Sequence, residues 1–177
     1  TVFGVVGTCG QRCTSTRRLI VHEEVYENVK DSLKKAYNQI KIGNPLDSNN
    51  HVGPLIDLNA VEAYKLAISK VNDQGGSWLV QGGILNGEKY SSGCYVKPAI
   101  AEVDQSMEIV HHETFAPILY LIKYKGDIKN AIDIQNEVEQ GLSSAIMTNN
   151  LKEAELFLSH WGSDCGIANV NIGTSGA

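Results

Sequence analysis

Along this chain of 177 residues, segments whose apolar residues have the pattern of a strand alternate with segments whose apolar residues have the spacing of a helix. Arg18 to His22 is a short apolar run typical of a strand. From Glu23 to Ile40, Glu and Lys occupy one helical face and apolar side chains the other: Val25, Val29, Leu33, Ala36, Tyr37 and Ile40. The alternation predicts an α/β fold in which helices flank a mostly parallel sheet.

Capping residues mark several of the later elements. A second helix is predicted from Asn59, with Glu62 as its capping partner, to the glycine pair that follows it. Asp127 and Asn150 can cap two further helices. The remaining predicted elements are helices at 128–138 and 151–161 and strands at 78–81, 95–99, 118–124, 144–148 and 167–171.

Both ends of the sequence have the character of positions inside a longer chain. The first residues lack Met and are already apolar, and the last four, Thr-Ser-Gly-Ala, are typical of a loop. We therefore expect residues 1–177 to form one domain of a larger protein.

Composition narrows the classes of partner. The net charge is −5, and the nearest basic cluster is only Arg12, Arg17 and Arg18, which argues against a nucleic-acid partner. No apolar run approaches the roughly 20 residues that cross a bilayer, and no signal peptide opens the chain, so no membrane partner is expected. Four scattered cysteines favour a reducing intracellular compartment.

Cys13 is the candidate nucleophile. It lies at a junction between helix-like sequence and the first strand, where a side chain can face a cleft. Thiolates are the reactive form of cysteine, and cationic groups such as the nearby Arg12, Arg17 and Arg18 favour them. On these grounds alone a buried, inert cysteine remains the alternative.

Other motifs carry weaker signals. The glycines around Cys9 lack the Gly-Lys-Ser/Thr ending of a phosphate loop, and Cys9 with Cys13 has no second Cys/His pair at zinc spacing. No metal site is predicted, and Cys9 is interpreted as a small packed residue. His111 and His112 are interpreted as solvated or capping. Around Glu113, a charged turn and a contact to a sugar or ring both remain open.

Several segments taken together change this picture. The chain resembles the aldehyde dehydrogenase superfamily at three motifs in order: Gly10-Gln11-Arg12-Cys13, Glu113-Thr114-Phe115-Ala116-Pro117 and Asn169-Val170-Asn171. Gly43-Asn44-Pro45, Gly53-Pro54 and residues 140–144 also match. Within the superfamily, Arg12, Ala116 and residues 162–166 resemble the residues found at these positions in the antiquitin branch, whose members oxidise α-aminoadipate semialdehyde.

The resemblance implies a role for each matching residue. Cys13 would be the nucleophile that forms a thiohemiacetal and then a thioester. Glu113 would hydrogen-bond the nicotinamide ribose of NAD, and Phe115 would pack near that end of the cofactor. Arg12 would hold the polar head of the substrate. The backbone amides of Gly176 and Ala177 would bind the substrate carboxylate.

The resemblance also implies what lies elsewhere in the family. Residues 1–177 correspond to the thiol-bearing catalytic domain of the family. They contain no counterpart of the family's Rossmann-like cofactor domain, general-base glutamate or oligomerisation tail. A homo-oligomer in the cytoplasm or mitochondrial matrix is implied for the full-length protein.

Two departures from the antiquitin pattern bear on the site. Gly173 stands where proline is usual, and Cys9 replaces a small residue and could pair with Cys13 under oxidation. A semialdehyde dehydrogenase of the pyrroline-carboxylate or succinate type, and a catalytically silent binding module, remain the alternatives.

Overall fold

The computed structural model describes residues 1–175, and the chain is α/β as predicted. Its strands are β1 (Arg18–His22), β2 (Ser77–Val80), β3 (Gly83–Ile84), β4 (Val96–Lys97), β5 (Ala99–Glu102), β6 (Ile118–Tyr124), β7 (Ser143–Ile146) and β8 (Ile167–Val170). Its α-helices are α1 (Val2–Val6), α2 (Glu23–Tyr37), α3 (Leu58–Asp73), α4 (Ile128–Asn136) and α5 (Leu151–Leu158). Short 3₁₀ turns lie at Gly7–Gly10, Glu88–Tyr90 and Glu108–His111.

Parallel pairing dominates the sheets, with antiparallel strands at the edge. The main sheet has the order β1-β6-β5-β2, in which β6 pairs in parallel with both β1 and β5. β7 and β8 form a separate parallel pair. The edge strand β2 runs antiparallel to β5, and β3 with β4 forms a small antiparallel ribbon. The sheet is therefore mixed, and the prediction of a mostly parallel one holds for its centre.

One predicted strand, at 95–99, is in fact two. Pro98 has no backbone N–H and interrupts the ladder, so that β4 pairs with β3 while β5 enters the main sheet. The side chains of β5 and β6 are buried on both faces, as expected for strands covered by helices: Ala99, Ile100, Ala101, Ile118, Leu119, Tyr120, Leu121 and Ile122.

Helix ends differ from the predicted positions for local reasons. Asp57, not Asn59, caps α3: its carboxylate accepts the N–H of Ala60 at 2.8 Å. α2 stops at Tyr37, and the backbone continues in tight turns although Ile40 still packs on the core.

The last helix is also shorter than predicted. Asp127 and Asn150 cap α4 and α5 as expected. α5 stops at Leu158 because Ser159 turns extended, and its hydroxyl donates to the Leu156 carbonyl at 2.8 Å. Trp161 beyond it is 73% exposed. No helix within residues 1–175 combines the length and apolar character needed to cross a bilayer.

Candidate active site

The topology brings two of the motif segments to one edge of the sheet. Cys13 lies just before β1, and Glu113 lies just before β6. β1 and β6 are parallel neighbours, with Arg18 opposite Tyr120. The amino ends of parallel neighbours lie at the same edge, so residues a hundred positions apart in sequence become adjacent in space.

A tight backbone contact fixes the two segments against each other. Thr8, Cys9 and Gly10 all have left-handed φ values, of 53°, 54° and 69°, which turn the chain sharply after α1. A Cβ on Gly10 would come within 2.6 Å of the Ala116 carbonyl carbon and oxygen. Only glycine fits both the conformation and the approach.

The cysteine itself stands at the corner of a hydrogen-bonded turn. The Ser15 N–H donates to the Arg12 carbonyl at 3.0 Å, and the Arg12 N–H donates to the Ser15 hydroxyl at 3.1 Å. Cys13 lies between these partners and is exposed. It lines a cleft of about 700 Å³ that Ser15, Arg17, Glu113 and Thr174 also line. The predicted thiol and the predicted carboxylate thus share one cleft.

Glu113 and Phe115 are displayed at the same edge. The side chain of Glu113 is 40% exposed, and its Oε1 lies 3.4 Å from the Arg17 Nε. Phe115 has a left-handed φ of 52° and is 39% exposed, with the Arg17 guanidinium 4.8 Å from its ring centroid. Burial lowers the pKa of Arg17, and the carboxylate of Glu113 partly offsets that shift.

The three arginines near Cys13 have different surroundings. Arg12 Nε donates to the Thr8 hydroxyl at 2.8 Å, and its guanidinium lies 5.3 Å from the Phe3 ring. Arg18 instead points to the end of α4, where it donates to the Ile134 and Gln135 carbonyls at 2.8 Å each. The Arg18 guanidinium is therefore bound to α4, whereas the Arg17 guanidinium contacts the thiol-bearing loop.

A hydroxyl contact anchors the loop after β8 to the segment that carries Cys13. Thr174 Oγ1 donates to the Thr14 carbonyl at 2.8 Å and lies 2.8 Å from the Thr16 hydroxyl. This contact joins the loop after β8 to the residue following Cys13. No pattern in the sequence signals it, because 160 positions separate the two segments. Gly176 and Ala177, predicted to bind a carboxylate, lie outside the described residues.

Cys9 is a packed core residue, as predicted. It is fully buried, and burial raises the pKa of its thiol to about 12. A buried neutral thiol is a poor partner for disulfide exchange, which disfavours the pairing with Cys13. Among residues 1–175, no three His, Cys, Asp or Glu side chains cluster as metal ligands would.

We predict that iodoacetamide labels Cys13 at least about tenfold faster than Cys94 or Cys165. Cys13 is exposed in the cleft, whereas Cys165 is half-buried and Cys94 and Cys9 are buried. Mass spectrometry after brief labelling measures the four rates, and labelling in denaturant provides the control in which they should converge. Equal native rates at all four cysteines would show that the fold gives Cys13 no advantage.

Comparison with known proteins points to one family. The model of the aldehyde dehydrogenase family matches residues 1–177. The chain is 47% identical over 175 residues to aldehyde dehydrogenase family 7 member A1 of Pisum sativum, covering 99% of this chain and 34% of the pea protein. It is 46% identical over 177 residues to α-aminoadipic semialdehyde dehydrogenase of Bos taurus, covering 99% of this chain and 32% of the bovine protein.

Solved structures agree on the fold. A 3,6-anhydro-L-galactose dehydrogenase in complex with NAP superposes with a TM-score of 0.90 at 30% identity, covering 97% of this chain and 36% of that one. The chain spans about a third of the length of the curated relatives it matches.

Proposed function

The chain belongs to the aldehyde dehydrogenase family, and we propose that Cys13 is the nucleophile with which the protein oxidises an aldehyde to an acid. One observation carries the proposal: an exposed cysteine lines the same cleft as Glu113, the acidic residue of the second motif. Residues 1–177 would be the thiol-bearing catalytic domain of the protein.

The first chemical step belongs to Cys13. Its thiolate attacks the aldehyde carbon, a carbon–sulfur bond forms, and the carbonyl π electrons move onto oxygen. The resulting oxyanion needs hydrogen-bond donors already in place. The Cys13 backbone N–H suits this role, because the turn from Arg12 to Ser15 holds its peptide rigidly.

Glu113 and Phe115 suit the nicotinamide end of NAD. The Glu113 carboxylate accepts hydrogen bonds only, is 40% exposed, and can take the hydroxyl donors of a ribose. The Phe115 ring is half-exposed beside it and offers an apolar face to the cofactor. When bound between these residues and the rest of the protein, NAD would supply the acceptor for the hydride that the substrate carbon loses. The similar 3,6-anhydro-L-galactose dehydrogenase, solved in complex with NAP, supports a cofactor of this class.

The substrate we propose is α-aminoadipate semialdehyde, oxidised to the corresponding acid in lysine catabolism. Support comes from the relative of that name in Bos taurus, at 46% identity. Arg12 would help hold the polar head of the substrate, whose carboxylate the Gly176 and Ala177 amides would bind. Within residues 1–175, the Arg12 side chain hydrogen-bonds the Thr8 hydroxyl and lies beside the Phe3 ring, and a guanidinium with these two contacts can turn to a substrate.

The family resemblance further supports a homo-oligomer for the complete protein, located in the cytoplasm or the mitochondrial matrix. The proposed function is tested by incubating the complete gene product with NAD and α-aminoadipate semialdehyde and recording NADH absorbance. Absence of NADH with this and with uncharged aldehydes would refute it.

We predict that Arg12→Ala in the complete gene product raises KM for α-aminoadipate semialdehyde about ten- to a hundredfold. A charge-assisted contact of about 1–3 kcal/mol is lost only by a substrate that carries the opposite charge. KM for an uncharged aliphatic aldehyde should change little. Steady-state kinetics on both substrates decide the matter, and equal losses would assign Arg12 a structural role.

A further inference from the structure

A single guanidinium joins the loop of Cys13 to the segment of Glu113. Arg17 Nη1 donates to the Gly10 carbonyl and Nη2 to the Arg12 carbonyl, both at 3.2 Å. Its Nε lies 3.4 Å from the Glu113 carboxylate. The Arg17 side chain is only 17% exposed, and its own carbonyl accepts the Tyr120 N–H at 2.8 Å, which anchors it to β6.

One of these contacts acts on the peptide group that precedes the thiol. The Arg12 carbonyl and the Cys13 N–H belong to the same peptide unit, and a trans peptide points them in opposite directions. Arg17 and the Ser15 N–H both donate to that carbonyl oxygen. Fixing the oxygen therefore fixes the direction of the Cys13 N–H. A cation beside the oxygen also polarises the unit and makes the N–H a stronger donor.

We propose that Arg17 is a positioning residue that orients and polarises the Arg12–Cys13 peptide for the oxyanion while holding Glu113 in place for the cofactor. The inference rests on the proposed function and goes beyond it, since it assigns the coupling of the two halves of the site to one side chain.

The geometry requires arginine. Its planar fork presents several N–H donors in fixed directions, and here two reach separate carbonyls while a third faces a carboxylate. The Phe115 ring, 4.8 Å from the guanidinium carbon, stacks favourably with a delocalised cation. A lysine ammonium keeps the charge beside Glu113 but cannot meet all three partners.

The test compares Arg17→Met and Arg17→Lys in the complete gene product, with Arg18→Lys as the matched control. Arg18 is a neighbouring, partly buried arginine that also donates to two carbonyls, but these belong to α4. Three quantities are measured: kcat, the Kd of NAD by calorimetry, and the protection of Cys13 from iodoacetamide by an aldehyde without NAD. The last reports oxyanion stabilisation independently of oxidation.

The expected pattern separates the two contacts. Arg17→Met should lower kcat about ten- to a hundredfold, less than or similar to the loss of one oxyanion donor. It should also weaken NAD binding about three- to tenfold and weaken aldehyde protection of Cys13. Arg17→Lys should recover the NAD affinity but neither kcat nor the protection. Arg18→Lys should lower the melting temperature and leave all three quantities unchanged.

Two outcomes would overturn the inference. One is an Arg17→Met protein that matches Arg18→Lys in all three measurements. The other, decisive if Arg17→Met does not fold, is an Arg17→Lys protein with undiminished kcat and aldehyde protection. If the unaltered protein forms no NADH, the proposed function fails, and aldehyde protection of Cys13 in the Arg17 variants still decides the role of Arg17.

Discussion

Residues 1–177 on their own are expected to add an aldehyde to Cys13 but to form no measurable NADH. The addition needs only the exposed thiol and the rigid peptide before it, both of which lie in this chain. Oxidation needs the cofactor held in place, and positioning of this kind contributes roughly 7–11 kcal/mol to a barrier reduction. Glu113 and Phe115, in the roles proposed for them, would contact only one end of a long dinucleotide, so residues 1–177 would supply little of that contribution.

The measurement pairs two readouts on the purified chain with NAD and excess aldehyde. NADH absorbance should stay flat, while the aldehyde protects Cys13 from iodoacetamide. Cys13→Ser removes the alkylation site and serves as the control for background absorbance. Steady NADH formation that disappears in Cys13→Ser would contradict the prediction and would mean that far less protein suffices to hold the cofactor.

The sequence predicts elements well where burial alone sets the pattern. β1 and β6 occur at the predicted positions, because continuous apolar runs between polar boundaries leave one solution. The errors lie where a local contact overrides periodicity. Pro98 divides one apolar run between two sheets. Asp57 caps α3, so that the helix begins before Asn59, where the pattern of apolar residues predicts its start.

The candidate site shows the same limit at longer range. Motif resemblance finds Cys13 and Glu113, but no spacing rule says that Arg17 connects them or that Arg18, its neighbour, does not. Those contacts depend on strand order, which places β1 beside β6. Similarly, the anchoring of Thr174 to Thr14 follows from tertiary packing and has no local signal.

Gly10→Ala should be the most disruptive single-methyl change in the site. Gly10 has φ of +69°, where a Cβ costs roughly 1–2 kcal/mol. That Cβ would also lie 2.6 Å from the Ala116 carbonyl, and overpacking of backbone typically adds about 1–3 kcal/mol. Together these effects predict a loss of about 2–5 kcal/mol in the free energy of unfolding. Relief of the clash would separate the cysteine loop from the segment that carries Ala116 and Glu113.

Two glycines of the same chain separate the causes. Gly75 has φ of +88°, and among residues 1–175 no atom other than those of its chain neighbours lies within 4 Å of the point that an alanine Cβ would occupy. Gly75→Ala should therefore show the conformational cost alone, about 1–2 kcal/mol. At Gly83 the position of an added Cβ is open and φ is not left-handed, so the free energy of unfolding of Gly83→Ala should stay within about 1 kcal/mol of that of the unaltered protein. Denaturant unfolding of the three variants gives these values.

Kinetics then show whether the contact between Gly10 and Ala116 serves the site as well as the fold. In the complete gene product, separation of the two segments should lower NAD-linked turnover about a hundredfold in Gly10→Ala, because small displacements of reacting groups are costly. Gly75 follows the end of α3 and is not one of the residues of the site, so Gly75→Ala should leave turnover unchanged. Equal free energies of unfolding and equal turnover in Gly10→Ala and Gly75→Ala would contradict this prediction. They would mean that the cysteine loop can shift without loss, and that the backbone contact between Gly10 and Ala116 does not hold Cys13 beside Glu113.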